Sequence, residues 1–309
     1  MAEAPPLEAR VRADGLLAPG RAVVVMVSGG RDSVCLLDLA VRVAGASAVT
    51  ALHVDYGLRS GSADDAALCA ALAERLGVPI EIERPGAAPA AGNLQAWARD
   101  LRYARAHDLA RARGADVAAG HTATDQAETV LYRLASSPGR RALLGMAPRS
   151  GSLVRPLLGS TREETGAWCA AHGLPFRDDP TNEGDRFARG RVRGALLPAL
   201  RAVHPAAEAN VVRTAQLLRD EAAVLDRLVD DELGGGDGIA LERLRALPIA
   251  LARLVVVRLA EGAAGRLVPR AASRTEEILA LDPARPWTAL DLGDGVRAVV
   301  QDGVLRMES

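Results

Sequence analysis

The stretch that most constrains this chain is a strand-length apolar run, residues 23–27, followed at once by Ser28-Gly29-Gly30-Arg31-Asp32-Ser33 and then by a helix-like run, residues 34–43. A continuous apolar run of that length fits a central parallel strand buried on both faces, which in turn needs helices above and below it. The 49% hydrophobic residues across 309 positions supply ample core, but aromatics are only 3%, so that core is built from Ala, Leu and Val. Stacking of bases on aromatic platforms is therefore disfavoured as a way of holding nucleic acid.

Strand, glycine turn and helix make an anion-binding arrangement. Glycines let the backbone approach a charged group, and the first helix amides point at it with the positive end of the dipole. Ser28 and Ser33 add hydroxyl donors, and Asp32 puts a carboxylate at the mouth, suited to Mg²⁺ or a polarised substrate group. The rival phosphate loop, G-x-x-x-x-G-K-[ST], cannot occur, because the sequence contains no lysine: all 38 basic residues are arginine. The same absence excludes a lysine nucleophile and pyridoxal chemistry.

Further strands are expected at 48–54, 78–82 and 116–119, alternating with helices, which gives a doubly wound α/β domain with ligands at the carboxyl edge of its sheet. His53 and Asp55 alternate to one side at the end of the second strand. Residues 1–20 read as a loosely packed helix or tail, and 85–92 as a Pro/Ala/Gly loop. Asn93 fits the N-cap of a helix running to about 113, with Leu94, Trp97 and Leu101 as its core stripe and Arg99 and Arg102 beside Tyr103 on another face. A helix starting at His121 would place His121, Asp125 and Glu128 on one polar stripe, at i, i+4 and i+7.

The formal charge of −1 offers no global attraction to polyanions, so any nucleic-acid surface must come from local segregation of charge. Two acid-free arginine stretches stand out. One carries Arg133, Arg140, Arg141, Arg149, Arg155 and Arg162; the other carries Arg186, Arg189, Arg191, Arg193 and Arg201. Beyond residue 203 a smaller, mainly helical domain is expected, with a long helix over 205–233 (Val211, Leu218, Val224 and Leu228 inward), a glycine linker over 234–238, helices, and a terminal β-hairpin around Gly293-Asp294-Gly295. This divides the chain at 1–203 and 204–309. Isolated Cys35, Cys69 and Cys169, no signal-like segment and no membrane-length apolar run fit a reduced, cytoplasmic protein.

The glycine loop resembles the SGGxDS signature of PP-loop ATP pyrophosphatases, whose fold is Rossmann-like. Together with HVDYGLR, ARDLRY, GHTATDQAET, VRPLL and DPTNEGDRFARGRVRGALLPAL, in that order, the chain resembles the tRNA(Ile)-lysidine synthetase family in its compact form. The resemblance implies ATP, with Mg²⁺, adenylating the wobble cytidine of a CAU-anticodon tRNA(Ile), followed by attachment of free lysine. By it, Ser28, Gly29, Gly30, Arg31, Asp32 and Ser33, with His53 and Asp55, would hold the nucleotide; Asp32 and Arg99 would be central to the chemistry, Asp32 also to the metal. His121, Asp125 and Glu128 would line the lysine and cytidine side, and Arg140, Arg141, Arg189 and Arg193 would hold tRNA. Tyr56, Ser136 to Gly139, and Gly190 depart from the family pattern. Other readings are a tRNA thiolase, disfavoured in its paired-cysteine form by the lack of C-x-x-C, and a non-catalytic ATP- or RNA-binding protein. Dimerisation is left open.

Overall fold

The computed structural model describes residues 6–57, 61–86, 89, 93–137, 139–177 and 188–309, without the side chain of Arg189. The chain divides into two compact units, Met1–Gln216 and Leu217–Ser309.

In the first unit, elements run α1 Leu7–Ala13, β1 Val23–Met26, α2 Arg31–Ala44, β2 Val49–Val54, α3 Ser62–Leu76, β3 Ile80–Glu83, α4 Leu94–Arg113, β4 Asp116–Ala118, α5 Ala123–Ser136, α6 Arg140–Leu143, β5 Arg149–Ser150, β6 Leu153–Val154 and α7 Arg162–Ala171. Short helices α8 Ala188–Arg191 and α9 Leu197–Val203 follow. The sheet order is β3-β2-β1-β4-β6-β5. Every pairing is parallel except the β5–β6 hairpin.

The valine run explains why the sheet is covered on both faces. Val23, Val25 and Val27 join one core cluster with residues of α1, α2, α3 and α7, whereas Val24 and Met26 join another with Ala106 and Ala110 of α4. Successive side chains of a strand point to opposite faces, so a run apolar at every position needs both layers. Strand order reverses between β1 and β4, and ligands of open α/β sheets sit at the carboxyl ends of the strands flanking such a switch point.

Several expectations are corrected here. Of the helix or tail expected over residues 1–20, the helix is present as α1, but it is not loosely packed: Leu7 and Val11 are buried in the main core. The stripe expected on α4 is displaced, since Leu94 is 40% exposed and the buried residues are Ala106 and Ala110. Length accounts for this. A 20-residue helix spans about 30 Å, but the three residues of β4 span only about 10 Å, so the N-terminal half of α4 overhangs the carboxyl edge. Asn93 does cap it, accepting the Ala96 N–H at 3.2 Å.

The long helix α10, Ala207–Leu233, begins in the first unit and continues into the second. Val224 and Leu228 are exposed; Ala215, Ala222 and Val229 are the buried positions. The glycines at 234–238 form a turn inside the second unit. That unit continues with β7 Gly238–Ala240, α11 Leu241–Ala246, α12 Ile249–Ala264, α13 Thr275–Leu279, β8 Trp287–Gly293, β9 Val296–Gln301 and β10 Val304–Glu308. The expected hairpin is half of a four-stranded antiparallel sheet, β7-β10-β9-β8. Asp294-Gly295 and Asp302-Gly303 take positive φ at both residues, matching the twist that tight hairpins require. Among the described residues no helix is long and apolar enough to cross a membrane.

Candidate active site

The glycine loop joins β1 to α2 at the switch point and is tied together by its own hydroxyls. Ser33 Oγ donates to Gly30 O at 2.8 Å and accepts the Ser28 N–H at 3.1 Å, and the two serine hydroxyls lie 3.1 Å apart. Gly29 holds φ +81°, a conformation that side chains disfavour. The first intrahelical bond of α2 runs from Val34 N–H to Gly30 O, so the amides ahead of it have no intrahelical acceptor and face the loop's concavity. Arg31 Nε lies 3.9 Å from Asp32 Oδ1, its guanidinium lies 5.9 Å from the Phe176 ring centre, and its stem packs on Gly166 of α7.

Asp32, in the first turn of α2, accepts the Thr165 hydroxyl on Oδ1 at 2.5 Å and meets Arg162 Nε at 3.4 Å through Oδ2. Burial pushes its carboxyl above the ordinary range, against the pull of Thr165 and Arg162, and the charge of Asp125 adds to the rise. Two carboxylates that repel one another beside an anion-binding loop have the donor chemistry that would suit a divalent cation. Among the described residues no group of three or more acidic, His or Cys side chains could cage a metal alone.

The segment after β4 lies directly over this turn. A Cβ on Gly120 would stand 3.1 Å from both the carbonyl carbon and oxygen of Asp32, tighter than side chains ordinarily tolerate, so glycine is what permits the approach. His121 belongs to this connection, not to the helix: α5 begins at Ala123 with Thr122 as its N-cap. The expected three-residue stripe therefore loses its first member. Asp125 accepts the Thr122 N–H at 2.9 Å, closing a capping box. Glu128, fully buried, binds Arg193 in a two-point pair at 2.5 and 3.1 Å, and Asp125 Oδ1 lies 3.6 Å from the same guanidinium. Burial opposes the charge on Arg193, but the bond to Glu128, with Asp125 and Asp32 nearby, raises its affinity for the proton above normal. Asp32, Asp125, Glu128 and Arg193 thus form one electrostatic group.

The other anticipated residues are placed as follows. His53 is buried, with Nδ1 2.9 Å from Val27 O; a carbonyl accepts only, so Nδ1 carries the proton and pins β2 to the start of the loop. Asp55 accepts the Gly57 N–H at 3.0 Å and meets Arg84 at 3.4 Å, and a hydrogen bond from Ser62, with these two, lowers its pKa. Tyr56 donates to Ala98 O at 2.5 Å, docking the end of β2 on α4. Arg99 is exposed on the overhang of α4, its guanidinium 5.3 Å from the Tyr103 ring centre. Arg140 is half-buried and Arg141 exposed on α6. Arg189 lies on α8, but its side chain, Arg59 and residues 178–187, Arg186 among them, lie outside the described residues.

The first arginine stretch does not form one patch. Arg149 makes a two-point ion pair with Asp116 at 3.0 Å, Arg162 meets Asp32, and Arg155 is buried. Thr165 and Gly120 are site residues that the sequence does not single out, and Arg162 stands out only as a member of an arginine stretch, because their partners are distant in the chain.

The PP-loop domain family matches residues 7–200. The tRNA(Ile)-lysidine synthase of Leifsonia xyli is 37% identical over 305 residues, covering 94% of this chain and 90% of its own length. Those of Solibacter usitatus and Thermus thermophilus are each 40% identical, over 82% and 94% of this chain and 59% and 57% of their own lengths. This chain thus spans less than two thirds of the latter two. Among solved structures, the U34-tRNA thiolase NcsA from Methanococcus maripaludis, described with its 4Fe-4S cluster, matches with a TM-score of 0.58 at 18% identity, over 69% of this chain and 78% of that one. At that identity the likeness speaks to the fold alone.

Proposed function

Because the chain belongs to the tRNA(Ile)-lysidine synthase family, we propose that it ligates free lysine to C2 of the wobble cytidine of a CAU-anticodon tRNA(Ile) in the cytoplasm, using ATP. In the first step the C2 oxygen attacks the α-phosphorus and pyrophosphate leaves. In the second the lysine ε-amine attacks C2, loses a proton, and displaces AMP, which carries the oxygen away. The observation that supports this best is the convergence of a self-tied anion loop, Asp32, Asp125, Glu128 and Arg193 at the switch point of the sheet.

In this reading the amides of the glycine loop and the start of α2 bind the ATP phosphates. The Asp32 and Asp125 carboxylates would hold Mg²⁺, which would supply charge neutralisation at the phosphates. Thr165 and Arg162 orient Asp32. Glu128, fixed by Arg193, and Asp125 present their carboxylates to a cationic amine, which suits lysine. Arg99, exposed at the sheet edge, faces developing phosphate charge, and Arg140, Arg141 and Arg189 contact the tRNA backbone.

The test is transfer of labelled lysine to a CAU-anticodon tRNA(Ile) transcript with ATP. Label is expected on that tRNA, with AMP and pyrophosphate released, and Asp32→Ala should abolish pyrophosphate release while tRNA still binds. ATP-dependent transfer of sulfur without lysine uptake would overturn the reading in favour of a thiolase.

A further inference from the structure

A second group of cations, apart from the glycine loop and without carboxylate partners among the described residues, stands at the end of β6. Arg155 follows that strand directly and is 9% exposed. Its backbone N–H donates to Pro148 O at 2.8 Å, and its side chain donates one bond, to Ala147 O at 2.6 Å. Its Nε is buried with no partner, and so are the Tyr103 hydroxyl and Arg102 Nε on the overhang of α4. Burial lowers the pKa of Arg155; Tyr103 opposes this, while the charges of Arg99 and Arg133 are close enough to lower it further. Arg99 and Arg102 also lie 5.3 and 5.9 Å from the Tyr103 ring centre. Among the described residues, none of these four arginines has an acidic partner.

The cluster is built by its surroundings. Gln126 of α5, fully buried, makes a reciprocal amide pair with Met146, donating to its carbonyl at 2.9 Å and accepting its N–H at 2.7 Å. This fixes the segment at 145–147, whose carbonyls then hold two of the cations: Gly145 O takes Arg133 at 2.7 Å and Ala147 O takes Arg155 at 2.6 Å. Gathering like charges and leaving buried donors unspent is costly for a fold on its own, and an incoming anion recovers both costs.

We propose that Arg155, Arg133 and the Tyr103 hydroxyl form a second subsite for a phosphoryl anion, separate from the glycine loop. A planar guanidinium with an unpartnered Nε and a phenolic donor match the oxygens of a phosphate, and the absence of carboxylates among the described residues around them disfavours a cation. The phosphoryl group comes either from the backbone of the RNA substrate or from departing pyrophosphate; the first source rests on the function proposed above.

Arg155→Gln and Tyr103→Phe, the latter removing only an unpartnered hydroxyl, test this. Binding of a CAU-anticodon tRNA(Ile) transcript and of inorganic pyrophosphate is measured at several salt concentrations, with folding checked by thermal unfolding. If RNA supplies the phosphate, Arg155→Gln weakens tRNA binding about tenfold and lowers the salt slope by about one, Tyr103→Phe weakens it about threefold, and pyrophosphate binding is unchanged. If pyrophosphate is the occupant, its affinity falls by similar factors and the tRNA slope stays. Wild-type affinity for both anions in Tyr103→Phe and in folded Arg155→Gln would overturn the subsite, whatever the lysine assay gives. Conversely, loss of anion affinity in a protein that transfers no lysine keeps the subsite and rejects the proposed reaction.

Discussion

Thr165 on α7 donates its hydroxyl to Oδ1 of Asp32 on α2 at 2.5 Å, and neither residue reaches the other except through the packing of those two helices. Removing the donor strips away the largest influence holding the Asp32 carboxyl down against burial. For Thr165→Val, similar in shape, we expect the acid limb of the pH–rate profile for pyrophosphate release to move to higher pH, with about a tenfold loss near neutrality. Thr165→Ser should restore both. An unmoved acid limb in a folded Thr165→Val enzyme would contradict this positioning role.

Asp32 also carries a stability signature. Its native pKa lies above the unfolded value of 3.8, so between those two values the native state binds more protons. Stability contributed by the neutral carboxyl is therefore present at low pH and lost as pH rises through the raised native value. Asp32→Asn should be more stable than wild type at pH 8, and its advantage should shrink towards pH 4. Urea unfolding across that range measures it; an advantage independent of pH would show that the charge is not the cause.

Glu128 and Arg193 offer a contrast between electrostatics of the fold and contact with RNA. Glu128 has no exposed surface, so Arg193→Met removes a two-point ion pair from a buried carboxylate, and such losses run at about 3–5 kcal/mol. We expect Arg193→Met to lower stability by that order, and the double variant with Glu128→Gln to regain most of it. The salt slope of tRNA binding by Arg193→Met, in whatever fraction remains folded, should match wild type. A slope lower by about one would instead assign Arg193 to a phosphate.

Gly120→Ala inserts a single carbon 3.1 Å from the Asp32 carbonyl. Because backbone on both sides must separate, activity should fall at least tenfold with a modest cost in stability, about 1–3 kcal/mol. Steady-state pyrophosphate release set beside thermal unfolding distinguishes this from general destabilisation.

The parts of this site that the sequence made legible are those in which cause and effect are neighbours along the chain. The valine run, the glycine loop and the Asn93 cap each act within a few residues. His121 could have been placed correctly as well: Thr122 followed by Asp125 is a capping signal, and it starts the helix one residue past its cap. What stayed hidden were pairings across long stretches, such as Arg149 with Asp116 and Arg193 with Glu128, 33 and 65 residues apart. Counting arginines in an acid-free stretch says nothing of acids delivered from another element. The stripe on α4 failed for a different reason, since helical periodicity identifies a face but not how far the sheet beneath it extends.

The loop at 28–33 is closed by Ser33 and Ser28, and the strand end beneath it is held by His53. The conformational entropy of that segment is thus given up during folding, before any nucleotide arrives. A ligand meeting a preorganised cradle need not divert its own binding energy to ordering the chain, so more of it is left for the reacting state. Loosening the loop, as Ser33→Ala would by removing the hydroxyl that ties it to Gly30 O, should therefore appear as weaker nucleotide affinity.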